Sequence, residues 1–183
     1  MELHLIRHPK PDVPPGVCYG QSDIGLAESA TEVARRLRPL LPESYALHAS
    51  PLSRARLLAE ALGTPQLDRR LMEISFGAWE GRRFDDIGSA IDDWASDPLG
   101  FCAPGGESVR DMSVRVLHWL DELRASSPDV PVVIVAHGGP LRVLAGHLLG
   151  LPSERWLGLA FACGEVTRLD VEEWGVTLKW FNR

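Results

Sequence analysis

The chain has 183 residues, 45% of them hydrophobic and 24% charged, with a net charge of −6. That length allows one domain, 1–183, with a sizeable core, and the composition is that of an ordinary globular protein. An acidic balance excludes a broad attraction to nucleic acid or to an anionic membrane, so an anionic ligand must meet a local cationic pocket.

Read in chain order, "ELHLIR" (2–7) is an apolar strand that stops at Arg7 and His8, where Pro9 prevents its continuation. Leu26, Ala30, Val33, Leu37 and Leu41 then recur at helical spacing, with Pro42 as the stop. "YALHAS" (45–50) is a second short strand, and 51–62 is a helix with Pro51 in its first turn. Residues 80–104 mix Phe84, Ile87, Ile91, Trp94 and Phe101 with acidic side chains, and read as a helix. Val109, Met112, Val116, Trp119 or Leu120, and Leu123 form an amphipathic stripe, with Ser108 as N-cap and Asp111 three residues on. "VPVVIVA" (130–136) is uniformly apolar, as in a strand buried on both faces. "HGGPLRVLAGHLLG" opens a helix with Gly-Gly-Pro and closes it at Gly150. Residues 165–172 and 176–181 alternate around Trp174-Gly175 as a terminal hairpin. Strands alternating with helices imply an α/β/α sandwich on a mostly parallel sheet, with antiparallel strands added by the last pair.

No apolar run approaches the roughly 20 residues of a membrane helix. The first apolar run is too short for a signal peptide and leads straight into Arg7. Cys18, Cys102 and Cys163 are odd in number and widely spaced, which points to a reducing, cytoplasmic setting without a disulfide framework or a zinc cluster.

In a parallel sheet, Arg7, His8, Arg54 of "SPLSRA" and His137 all fall at carboxyl strand ends, the edge where open α/β folds bind ligands. Two arginine forks and the N–H groups of Gly138 and Gly139 at a helix start make an anion pocket matched to phosphate. A neutral His8 would be a nucleophile toward phosphorus, with its pKa lowered by the arginines. Arg7, Arg54 and His137 would then hold the equatorial oxygens. An acid for the leaving oxygen is available in "LMEISFGAWEG", where Glu73 has the more apolar flanks and Glu80 is the other candidate. His4, His48, His118 and His147 belong to no such pattern, a metal site on His8 and His137 lacks a carboxylate cluster at ligand spacing, and Asp85-Asp86 and Asp92-Asp93 read as solvated helix-face charges.

"LIRH", "SPLSRA", "EISFGAWEG", "PGGES" and "VAHGG", in that order, resemble the histidine phosphatase superfamily, also called the phosphoglycerate mutase-like fold. The resemblance implies a metal-independent and cofactor-free phosphomonoesterase: His8 as phosphohistidine nucleophile, Arg7, Arg54 and His137 around the phosphate, Glu73 as proton donor, and Glu80 structural. It also brings Glu107 toward the pocket, while Gln21, after Cys18-Tyr19-Gly20, either lines the substrate opening or merely shapes a turn. Pro9-Lys10-Pro11 departs from the glycine that usually follows the RH pair and removes one N–H. Yet "RHPKPDVPPGVCYGQSD" as a block is similar to one branch, the alpha-ribazole phosphatases of cobalamin nucleotide-loop assembly.

The expected substrate is thus a small phosphate monoester, with alpha-ribazole 5′-phosphate foremost. Trp79, Phe84, Trp94 and Phe101 either stack on its flat base or pack in a helix core. Another phosphatase specificity or a phosphoglycerate mutase is the neighbouring reading, and a non-catalytic phosphate-binding protein the remote one. Monomer and homodimer both remain open.

Overall fold

In the computed structural model, residues 1–126 and 128–183 are described. Six strands form one sheet in the order β3-β2-β4-β1-β5-β6. They are β1 (Glu2–Arg7), β2 (Ala46–Ala49), β3 (Gln66–Leu67), β4 (Val132–Ala136), β5 (Val166–Glu172) and β6 (Gly175–Trp180). Strands β3, β2, β4 and β1 are mutually parallel, and β5 runs antiparallel to both β1 and β6. The fold is the expected mostly parallel α/β/α sandwich, with the terminal hairpin supplying the antiparallel pairings.

Alternation along the central strand sorts the core into two layers. Val132, Ile134 and Ala136 join Leu3 and Leu5 in a cluster with helices α5 (Val109–Ala125) and α6 (Gly138–Leu148). Val133 and Val135 join Ile6 and Leu47 against α1 (Ala30–Leu37) and α2 (Ser53–Leu62) on the other face. Every residue of β4 is buried, as an unbroken apolar run requires.

Several boundaries differ from the sequence expectation. The first helix starts at Ala30, because Ser29 accepts the N–H of Glu32 as N-cap and leaves Leu26 outside. Pro51 lies ahead of α2, whose N-cap is Leu52. Gly175 belongs to β6 rather than to the turn, and the two-residue β3 carries no apolar signature. The helix expected over 80–104 resolves into two short ones, α3 (Phe84–Ile87) and α4 (Ala90–Ser96), separated by Gly88 at φ 72°. They lie over a small third cluster built on Cys18, Trp79 and Ala103.

Candidate active site

Because β1, β2 and β4 are parallel, their carboxyl ends deliver Arg7-His8, Ser50 and His137 to one edge. His8 remains tied to the sheet through its N–H to Ala136 O, at 3.0 Å. Its ring and that of His137 are buried, with centroids 5.1 Å apart. His8 Nδ1 lies 2.6 Å from Pro9 O. A carbonyl only accepts, so Nδ1 carries the proton and Nε2 keeps the lone pair. Pro9, which lost an N–H donor, thus supplies the acceptor that sets the tautomer of His8.

Burial pushes the His8 pKa down to about 3, with Arg54 and Arg7 adding to the shift. The backbone bond to Pro9 opposes it. His137 is pushed well below its ordinary value, again by burial first and then by His8 and the arginines. Both rings are neutral at physiological pH. His137 Nε2 is 2.7 Å from Ser50 Oγ, while its Nδ1 has no partner.

Arg54 has no exposed surface, although it carries a charge. Its Nη1 and Nη2 donate to Ser22 O at 2.8 Å and Gly20 O at 2.6 Å, and its guanidinium lies 5.2 Å from the Tyr19 ring centre. The loop carrying those carbonyls is held in turn by Glu80, which accepts from the N–H groups of Gln21 and Ser22, the Ser22 hydroxyl and the N–H of Phe76. Arg7 Nη1 donates to Phe161 O at 2.7 Å. Arg7 Nε and Arg54 Nε have no partner.

A third arginine, Arg142 on α6, was not singled out by the sequence. Its Nε donates to Leu159 O, and a side chain at Gly138 would come within 3.4 Å of its Nη1 and 3.6 Å of Arg7 Cζ. No motif in the sequence marks it. Among the described residues, Arg7, Arg54 and Arg142 make no ion pair with a carboxylate. Three guanidinium groups with no carboxylate in direct contact, two of them with an orphaned Nε, fit an external anion.

Glu73 faces this pocket from the segment after β3. Its Oε1 accepts from the N–H of Ile74 at 3.0 Å and of Gly139 at 3.1 Å. Its surroundings are therefore more polar than its apolar sequence neighbours imply. A side chain at Gly139 would lie 2.2 Å from Glu73 Oε1 and 2.9 Å from Met112 Sδ, so glycine is needed for this approach. Gln21 and Glu107, expected near the substrate opening, are both directed at the backbone around Glu73. Gln21 Nε2 donates to Glu73 O at 2.9 Å, and Glu107 Oε1 accepts from Ser75 N–H at 3.0 Å. Among the described residues, no group of three or more His, Cys, Asp or Glu side chains is placed to hold a metal.

Beside Glu73 opens a cavity of about 270 Å³. Tyr19, Phe76, Phe84, Trp94 and Trp156 contribute aromatic surface, with Leu99, Val109, Met112, Val143 and Leu157 between them. Glu73, Gly139 and Arg142 form its polar wall. Phe84 and Trp94 thus reach the cavity. Trp79 and Phe101 instead stack on each other at 5.0 Å, in the third cluster.

A mostly parallel α/β sheet with paired histidines and unpaired arginines at its carboxyl edge defines an anion-handling α/β protein. The chain belongs to the histidine phosphatase superfamily (branch 1), which it matches over residues 3–183, and is a phosphatase of that superfamily. It is 33% identical over 174 residues to the glucosyl-3-phosphoglycerate phosphatase of Mycolicibacterium vanbaalenii, covering 84% of this chain and 76% of that one. It is 29% identical over 176 residues to phosphoserine phosphatase 1 of Hydrogenobacter thermophilus, covering 89% and 82%. The crystal structure of the alpha-ribazole phosphatase from Shigella flexneri superposes with a TM-score of 0.90 at 27% identity, covering 100% of this chain and 96% of that one. Among the described residues, no helix is long and apolar enough to cross a membrane.

Proposed function

We propose that the chain hydrolyses phosphate monoesters without a metal, through a phosphohistidine on His8. The observation that carries the reading is a neutral, tautomer-fixed imidazole beside Arg7 and Arg54, each of which keeps an unpartnered Nε. His8 Nε2 attacks phosphorus, and an N–P bond forms as the ester P–O bond breaks. Arg7, Arg54 and the N–H of Gly138 take the charge of the equatorial oxygens, and His137 donates from Nδ1 while Ser50 holds its Nε2. Glu73, in its protonated form, gives its proton to the departing alkoxide. Water then attacks phosphorus, losing a proton to Glu73. The N–P bond breaks, phosphate leaves, and His8 is restored.

Alpha-ribazole 5′-phosphate, an intermediate of cobalamin nucleotide-loop assembly, is the substrate we infer. The cavity beside Glu73 is apolar and flanked by Trp94 and Phe84, as a flat base requires. Likeness to the Shigella flexneri protein supports the same choice. A second reading rests on Arg142 in the cavity wall, since a guanidinium there would pair with a carboxylate on the leaving group.

Phosphate release from alpha-ribazole 5′-phosphate, 3-phosphoglycerate and a simple sugar phosphate, without added metal and with His8→Ala as control, tests both. The expected outcome is a kcat/KM at least about tenfold higher on the ribazole ester and no turnover by the variant. Preference for 3-phosphoglycerate would shift the substrate to carboxylated esters and leave the chemistry intact. Turnover by His8→Ala would overturn the phosphohistidine.

A further inference from the structure

The segment that carries Glu73 has no regular secondary structure from residue 73 to 76, so its backbone groups must find partners outside helix and sheet ladders. One side chain ties the start of this segment to the carbonyls that precede it. Arg115, on α5, donates Nη1 to Arg70 O at 2.6 Å and to Met72 O at 2.8 Å, and Nη2 to Glu73 O at 3.0 Å. Its Nε and Nη2 bind Glu107 as a two-pronged pair, at 3.0 and 2.5 Å. All five N–H groups of the guanidinium are thereby used. Glu107 extends the frame by accepting from Ser75 N–H, and Gln21 closes it by donating to Glu73 O. The Arg115–Glu107 pair is about one-fifth exposed, so water competes weakly for it.

We propose that Arg115, with Glu107 and Gln21, is a positioning network that fixes the Glu73 carboxyl group against Gly139 and the leaving oxygen. The proposal rests on the reading of Glu73 as proton donor. None of the three residues lines the cavity, so their effect on catalysis runs through the Glu73 backbone rather than through substrate contact. Lysine cannot replace Arg115: a single ammonium lacks the planar fork that spans three carbonyls and a carboxylate. A misplacement of about 1 Å at a proton-transferring group costs on the order of 100-fold in rate.

The test uses leaving groups that differ in their need for a proton. p-Nitrophenyl phosphate departs as a stable phenolate, whereas a primary alkyl phosphate requires protonation. Glu73→Gln is expected to lower kcat/KM, which reports only the steps up to the phosphoenzyme and not its later hydrolysis, about 100-fold or more on the alkyl ester and less than about tenfold on p-nitrophenyl phosphate. Arg115→Lys and Gln21→Leu should reproduce that bias, lowering kcat/KM on the alkyl ester about ten- and threefold while kcat/KM on p-nitrophenyl phosphate is retained. If either folded variant loses both substrates equally, or neither, while Glu73→Gln keeps its bias, the network does not position the acid. If Glu73→Gln itself shows no bias, the assignment of Glu73 as proton donor falls first. Gln21→Leu removes a single amide and serves as the readout if Arg115→Lys fails to fold.

Discussion

Burial holds the His8 imidazole at a pKa of about 3, far below its ordinary 6.5, and the nearby arginines act in the same direction. Two consequences follow for acid conditions. Down to about pH 4.5 the nucleophile should stay unprotonated, with no titration near 6.5. The His8 ring resonances, followed by NMR from pH 8 to 4.5, check this, and a midpoint near 6.5 that is absent from His8→Asn would contradict it. Stability behaves differently. The unfolded chain takes up a proton on His8 below about 6.5, while the folded chain refuses it until about 3, so unfolding gains protons and stability falls as pH drops across that window. His137 acts in the same sense. Denaturant titrations between pH 6.5 and 4.5, above the range where carboxylates dominate, should show this slope, and His8→Asn should reduce it while His137, His4 and His48 keep the remainder. At this scale Arg7, His8, Arg54 and His137 were legible, because each ends a strand or opens a helix next to small residues. Arg115 and Arg142 were not, because an arginine inside an amphipathic helix looks the same whether it faces water or a neighbouring backbone.

Among the elements, α5 was the most readable, since its apolar spacing and its cap agree. Ser108 Oγ accepts the Asp111 N–H at 3.1 Å, and Asp111 Oδ2 accepts the Ser108 N–H at 3.0 Å. This reciprocal pair satisfies two backbone donors at the helix start and fixes the residue next to Glu107. Ser108→Ala should cost about 1 kcal/mol of unfolding free energy, seen as a lower urea midpoint at unchanged m-value. A loss below about 0.3 kcal/mol would mean that packing alone holds this terminus. Residues 80–104 failed as a single helix for reasons also present in the chain. Gly88 takes a positive φ, and Pro98 and Gly100 follow α4, so no apolar stripe runs uninterrupted for three turns. Strand β3 was missed because both its residues are exposed and it borrows its order from β2.

Over the whole molecule, the parallel sheet brings the catalytic candidates together, and this much follows from strand order alone. The cavity does not, because its walls come from segments near residues 17–20, 73–76, 84–99, 109–112, 139–143 and 156–157, which only tertiary packing assembles. Those walls are unequal in strength. The strand ends and α6 are anchored in two large clusters, whereas α3 and α4 rest on one with only Cys18, Trp79 and Ala103 fully buried. Local opening costs least where the fewest apolar contacts must break. Amide hydrogens of residues 84–99 should therefore exchange much faster than those of β1 and β4. Inorganic phosphate, which fills only the arginine and histidine pocket, should leave that exchange unchanged. A non-hydrolysable phosphonate bearing an aromatic group reaches Phe84, Trp94 and Leu99 as well, and should slow it. Equal protection by both ligands would show that residues 84–99 respond to the phosphate alone, and that the aromatic wall does not hold the leaving group.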